Sequence, residues 1–160
     1  MFSIDDVLYL AIQIEENGEK LLRNAQKKTT NPELQTIFKW QADEEGQHIK
    51  SFSNLNPSLE KTADIPELET MGRGLLRDIL GEESFSLKDV DLSKIEGTET
   101  LILRMIEFEN DTALFYEMIR SVVSDPKTIA VIDEIISQEK QHAQTLEQFL
   151  DTVYAARKSG

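Results

Sequence analysis

The sequence predicts an all-α protein: a four-helix bundle of two helical hairpins, joined by a long crossover that contains a short helix. Three observations carry this. Apolar residues recur at the helical period of about 3.6 over four long stretches. Asn31-Pro32 and Asp125-Pro126 divide those stretches into two pairs. The two pairs also repeat each other at a shift of 94 residues.

The first helix is expected from Ser3 to Lys28. Ser3 can cap it, and Asp5 and Asp6 suit the positive end of the helix dipole. Ile4, Leu8, Ala11, Glu15, Gly18, Leu22 and Ala25 share one stripe, apolar or small except at Glu15. Asn31 then caps a second helix, with Pro32 in its first turn, where a missing N–H costs nothing. It runs to about Leu55 with Leu34, Phe38, Ala42, Glu45, His48/Ile49 and Phe52 inward. The pattern breaks over 53–97, the crossover, where Pro66 to Leu80 reads as a shorter helix. The third helix is expected from Thr98 to Ser124, with Leu101/Ile102, Met105, Glu109, Thr112, Tyr116, Ile119 and Val123 in its stripe. The fourth runs from Pro126 to about Ala155, with Ile129, Ile132, Ile136, Glu139, His142/Ala143, Leu146 and Phe149 inward. The whole chain, 1–160, is thus read as one domain.

The repeat pairs Ile12 with Ile106, Glu15 with Glu109, Pro32 with Pro126, Glu45 with Glu139 and His48 with His142. A charge pattern shared by accident would not carry its turn and its core positions with it. The only two histidines both lie in Glu-x-x-His, which puts a carboxylate and an imidazole one turn apart on one helix face. Glu15 and Glu109 interrupt apolar stripes, where an unpaired carboxylate is costly. Two free-standing Glu and two Glu-x-x-His pairs, projecting inward from four helices, are a two-metal ligand set. The expected metal ligands are Glu15, Glu45, His48, Glu109, Glu139 and His142. One metal takes Glu15 and His48, the other Glu109 and His142, with Glu45 and Glu139 bridging ions about 3.5–4 Å apart. Four carboxylates against two divalent cations come to neutrality, as a buried site requires. Tyr116, two turns after Glu109 on the same face, is the candidate catalytic residue, as a hydrogen-bond donor to a ligand or an electron relay; the bland reading is core packing. Glu16, Glu44, Glu107, Asp43 and Asp133 fall off the inner stripes and are expected to be solvated, and Trp40 to pack or to meet a partner subunit.

Composition excludes several alternatives. With 17 basic and 30 acidic residues the formal charge is −13, which opposes nucleic acid or an anionic membrane as partner. Without cysteine there is no thiolate metal site. The N-terminus has no basic region ahead of an apolar run, and no apolar run approaches the roughly 20 residues that span a bilayer, so a cytoplasmic location is expected. No nucleophile has an activating base beside it, and no glycine-rich nucleotide loop is present.

At its ligand residues the chain resembles the ferritin-like superfamily, and within it the rubrerythrin-type group. Ala11-Ile12-Gln13-Ile14-Glu15 followed by Leu21-Leu22 resembles that group's first ligand helix, and Phe108-Glu109-Asn110-Asp111-Thr112 followed by Phe115-Tyr116 its third. Glu44-Glu45-Gly46-Gln47-His48 and Gln138-Glu139-Lys140-Gln141-His142 resemble its paired acid–histidine motifs. The likeness spans the four long helices and not the crossover. It implies a ferritin-like bundle around two iron ions that react with peroxide or dioxygen. The chain departs from the group in lacking the cysteine-ligated rubredoxin-like centre, in holding Thr112 where the group has an extra carboxylate, and in holding Leu22 where it has a tyrosine. The six remaining ligands look closer to the bacterioferritin pattern, and electrons for peroxide reduction would come from an external donor.

Three functions fit the sequence. The first is a non-haem di-iron oxidoreductase, reducing peroxide or oxidising Fe(II). The second is iron binding or buffering without turnover, and the third a metal-free partner-binding bundle whose inward glutamates are protonated or salt-bridged. Mn or Zn are alternative occupants of such a site. Bundles of this pattern commonly associate, from which a homodimer is expected; no sequence feature argues for a larger cage.

Overall fold

A computed structural model describes residues 4–55 and 97–159 of the chain. Four helices account for nearly all of them: α1 (Ile4–Lys28), α2 (Pro32–Leu55), α3 (Thr98–Val122) and α4 (Pro126–Ser159). There is no strand among the described residues. α1 packs along α2 and α3 along α4, and the two hairpins face each other through α1 with α3 and α2 with α4. Most of the expected crossover, including the short helix at 66–80, lies outside the described residues, as does the Ser3 cap; 53–55 complete α2 and Gly97 precedes α3.

The turns are built as the Asx-Pro pairs require. Asn31 Oδ1 accepts the Leu34 N–H at 3.0 Å, and Asp125 Oδ2 accepts the Thr128 N–H at 3.0 Å and the Thr128 hydroxyl at 2.7 Å. Each side chain thereby satisfies a first-turn donor that has no partner within its helix. α3 begins after Gly97, whose φ of 85° is open to glycine and strained for other residues. Two bounds differ from the expectation. α3 stops at Val122 because Val123 is extended (φ −98°, ψ 136°), leading the chain into the Asp125 cap. α4 continues past Ala155 to Ser159, through Lys158, a cation that suits a helix C-terminus.

The apolar stripes close into two clusters along the bundle. One gathers residues such as Leu22, Phe38, Met105 and Leu146, the other Leu8, Ile14, Phe52, Tyr116 and Ile132. Every helix contributes to both clusters. The charged intruders of the stripes fall in the layer between them, sealed from water at each end.

Candidate metal centre

Each helix delivers its share of the site from its middle turns: Glu15 from α1, Glu45 and His48 from α2, Glu109 from α3, Glu139 and His142 from α4. None of the six is more than 2% exposed. Such withdrawal is rare for carboxylates, and it holds only where something compensates their charge. The structure brings all six together as two overlapping groups, Glu15–Glu45–His48–Glu139 and Glu45–Glu109–Glu139–His142. Within each group one ligand atom per residue lies within 4.8 Å of the others. Glu45 and Glu139 belong to both.

The repeat of the sequence is a repeat of the geometry. His48 turns Nδ1 inward, 2.9 Å from Glu139, 3.3 Å from Glu15 and 3.8 Å from Glu45. His142 does the same, 3.3 Å from Glu45, 3.5 Å from Glu109 and 3.9 Å from Glu139. The two rings lie nearly parallel, with centroids 6.2 Å apart. Each imidazole faces carboxylates from its own hairpin and from the other.

Electrostatics show what this arrangement lacks. Burial and the charge of Glu45 push Glu15 well above the usual carboxylate range and raise Glu109 as well. Burial and the charges of Glu109 and Glu15 do the same to Glu139. Burial opposes a charge on His142, but Glu109, Glu45 and Glu139 outweigh it and push its pKa up to about 12; His48 rises likewise against burial, driven by Glu139, Glu15 and Glu45. The cluster calls for positive charge and takes it from protons. Hydrogen bonding is incomplete too: both oxygens of Glu45, Glu109 and Glu139, and Nδ1 of His142, are buried without a hydrogen-bond partner. Orphaned buried acceptors are uncommon and call for a specific explanation. Oxygen-rich donors with one imbalance-sparing imidazole per position fit two divalent cations.

Around this centre stand Tyr116, expected as a hydrogen-bond donor or relay, and residues that the sequence left unassigned or assigned differently. Tyr116 donates to Glu15 Oε1 at 2.6 Å and lies 3.3 Å from the Ala11 carbonyl oxygen. Burial and the Glu15 charge raise its pKa well above the usual tyrosine value, so the phenol keeps its proton. Thr112 donates its hydroxyl to the Phe108 carbonyl of its own helix at 2.9 Å. Glu16, Asp43 and Asp133 are exposed and Glu107 partly so, as expected, but Glu44 is not simply solvated. Its carboxylate accepts from His142 Nε2 across the two hairpins. Gln138, 94 residues on, meets His48 Nε2 through Oε1 at 2.5 Å. Trp40, on the outer side of α2, sets its ring edge-on to His142 with centroids 5.6 Å apart. Buried Gln41 donates to the His142 carbonyl at 3.2 Å. The signal for Glu44 and Gln138 was present in the sequence: each immediately precedes a ligand glutamate, and the repeat pairs them.

Comparisons with known proteins agree with this geometry. The sequence profile of the family described as Rubrerythrin matches residues 6–150. No curated protein matches the chain significantly. Among solved structures, a dodecameric thioferritin, the bacterioferritin-related protein of Bacteroides fragilis, is 18% identical, with 98% of this chain and 89% of that chain covered and a TM-score of 0.74. A hypothetical protein from Pyrococcus furiosus is 20% identical, with 96% and 92% covered and a TM-score of 0.70. The first of these corrects the expected homodimer, since a chain of this fold stands there in a dodecamer. The surface gives a physical reason. Among the described residues the exposed large apolar side chains are Trp40 on α2, Leu103 and Leu114 on α3 and Tyr154 on α4, so three helices offer apolar surface for contacts between chains. Among the described residues no helix is long and apolar enough to cross a membrane.

Proposed function

Because the chain belongs to the rubrerythrin family, we propose that it is a non-haem di-iron oxidoreductase in which Glu15, Glu45, His48, Glu109, Glu139 and His142 hold two iron ions. The observation that carries this reading is the set of buried carboxylate oxygens without partners, arranged about two overlapping positions. From within the protein those oxygens meet only one another and the two imidazoles, so a metal-free bundle could satisfy them only by holding extra protons. Carboxylate-rich positions with one nitrogen each suit iron or manganese, and the family match favours iron. When bound, iron supplies the redox couple that reduces peroxide or dioxygen.

The chain's own residues do the rest. Glu45 and Glu139, common to both groups, fix the separation of the two positions. Tyr116 holds Glu15 by one oxygen and leaves Oε2 facing His48 Nδ1 at 3.3 Å. Its retained proton makes Tyr116 the nearest phenolic donor to the site, which is the role we assign to it. The two apolar clusters exclude bulk water from above and below, which strengthens every charge interaction between them. For the assembly we propose a higher oligomer of the kind seen in the thioferritin.

Anaerobic Fe²⁺ titration followed by separate additions of O₂ and H₂O₂ tests the reading. Two iron per chain, with an oxidised spectrum lost in Glu45→Ala and His142→Ala, is the expected result, and the faster oxidant identifies the reaction. Iron uptake indifferent to both substitutions would overturn it.

A further inference from the structure

We propose that the two metal positions are unequal, and that Glu44 makes the Glu109/His142 position the tighter one, so that it fills first. The inference rests on the two-ion reading above and concerns residues behind the ligands. The ligands themselves cannot distinguish the positions, because the repeat relates Glu15 to Glu109, His48 to His142 and Glu45 to Glu139. One difference is Tyr116, which donates to Glu15 and draws charge from that ligand where the repeat has Leu22; the one that favours the Glu109/His142 position lies on the outer edge of each imidazole. Both rings turn Nδ1 to the carboxylate cluster, so Nε2 carries the hydrogen and donates outward.

His48 donates to the amide oxygen of Gln138 at 2.5 Å, and Gln138 in turn donates to Glu134 at 3.4 Å. His142 donates straight to the carboxylate of Glu44. Trp40 stands one turn before Glu44, its ring centroid 5.6 Å from that of His142. Trp40 and Glu44 on α2 occupy the repeat positions of Glu134 and Gln138 on α4. One imidazole therefore touches an anion directly, while the other has its anion one amide further out.

A carboxylate acceptor makes a charge-assisted bond, roughly twice as strong as a neutral one. It also draws the Nε2 proton outward and makes Nδ1 the better electron donor to a cation. Removing such a partner from a metal-binding histidine typically weakens metal affinity by about 10–100-fold. Glu44 is partly exposed, which screens its charge.

Co²⁺ distinguishes the positions without turnover. The intact protein is titrated with Co²⁺ by calorimetry and visible absorption, and anomalous diffraction at one Co²⁺ per chain locates the ion taken first. The expected result is two binding events separated by about tenfold or more, the first at Glu109/His142. E44Q, an isosteric change at a partly exposed position, should bring the two events together. The double exchange E44Q/Q138E should reverse their order. Two indistinguishable events in the unaltered protein, or an order unmoved by the double exchange, would overturn the proposal while leaving the two-ion reading intact. Failure to bind Co²⁺ at either position would remove the centre itself and this inference with it.

Discussion

At the scale of single residues, two glycines separate space from flexibility. A Cβ at Gly18 would stand 3.1 Å from the Phe108 ring and 3.3 Å from Glu45 Oε2, both buried. Gly18→Ala should cost about 1–3 kcal/mol by crowding the core, and it should displace Glu45. Gly46, next to Glu45 in sequence, faces only Glu19, whose flexible carboxylate end would sit 3.3 Å from the new Cβ. Gly46→Ala should therefore stabilise by about 0.5–1 kcal/mol through helix propensity. Thermal or urea unfolding of the two variants checks the opposite signs. Tyr116→Phe removes the donor at 2.6 Å from Glu15, which draws charge from that ligand, and should shift metal affinity at the Glu15/His48 position by less than Glu44 separates the two, leaving the other position little changed. Co²⁺ affinities that shift equally at both positions would contradict it. The six residues of the buried cluster were legible in the sequence because each is a polar residue inside an apolar stripe. Glu44 and Gln138 were marked only by the repeat, because they lie off their own inner stripes and reach the histidine of the opposite hairpin. A helical wheel records which face a residue occupies; it does not record which neighbour stands across from it.

At the scale of elements, the hairpins owe their shape to two short turns whose chemistry the sequence stated in full. Asn31→Ala and Asp125→Ala each remove an acceptor from a first-turn N–H and should each cost about 1 kcal/mol. Asp125 also holds the Thr128 hydroxyl, so its loss should be the larger of the two, which paired unfolding curves would show. Helix ends were less legible than helix cores. Periodicity carries α3 to Ser124, yet the chain leaves the helix at Val123, because Asp125 must be free to cap α4. Periodicity ends α4 at Ala155, yet four further residues stay helical where no apolar stripe demands it. Packing marks the middle of a helix; local hydrogen bonding decides where it stops.

At the scale of the whole molecule, five buried groups tie stability to pH with one sign. Glu15, Glu109 and Glu139 lie above the ordinary carboxylate value of 4.5, and His48 and His142 above the ordinary histidine value of 6.5. For each of them the folded, metal-free chain binds more protons than the unfolded one. Their contribution is complete below the unfolded values and is lost as pH rises through the folded ones. The metal-free protein should thus melt at lower temperature at about pH 8 than at about pH 5, and the stabilisation conferred by Zn²⁺ should grow over the same interval as ligands shed protons. A metal-free melting temperature that climbs across that interval would argue against the crowded, proton-holding cluster. Light scattering checks the proposed assembly: a mass well above that of two 18.3 kDa chains is expected.

The bundle has a seam, since its helices pack closely within each hairpin and more sparsely between them. Glu45 from one hairpin and Glu139 from the other each face the opposite histidine across that seam, at 3.3 and 2.9 Å. Any cation held there is a rivet between two halves that otherwise meet mainly through apolar packing. The folded chain should then resist proteolysis longer with the cation bound than without it, so its persistence would become a gauge of how much metal surrounds it.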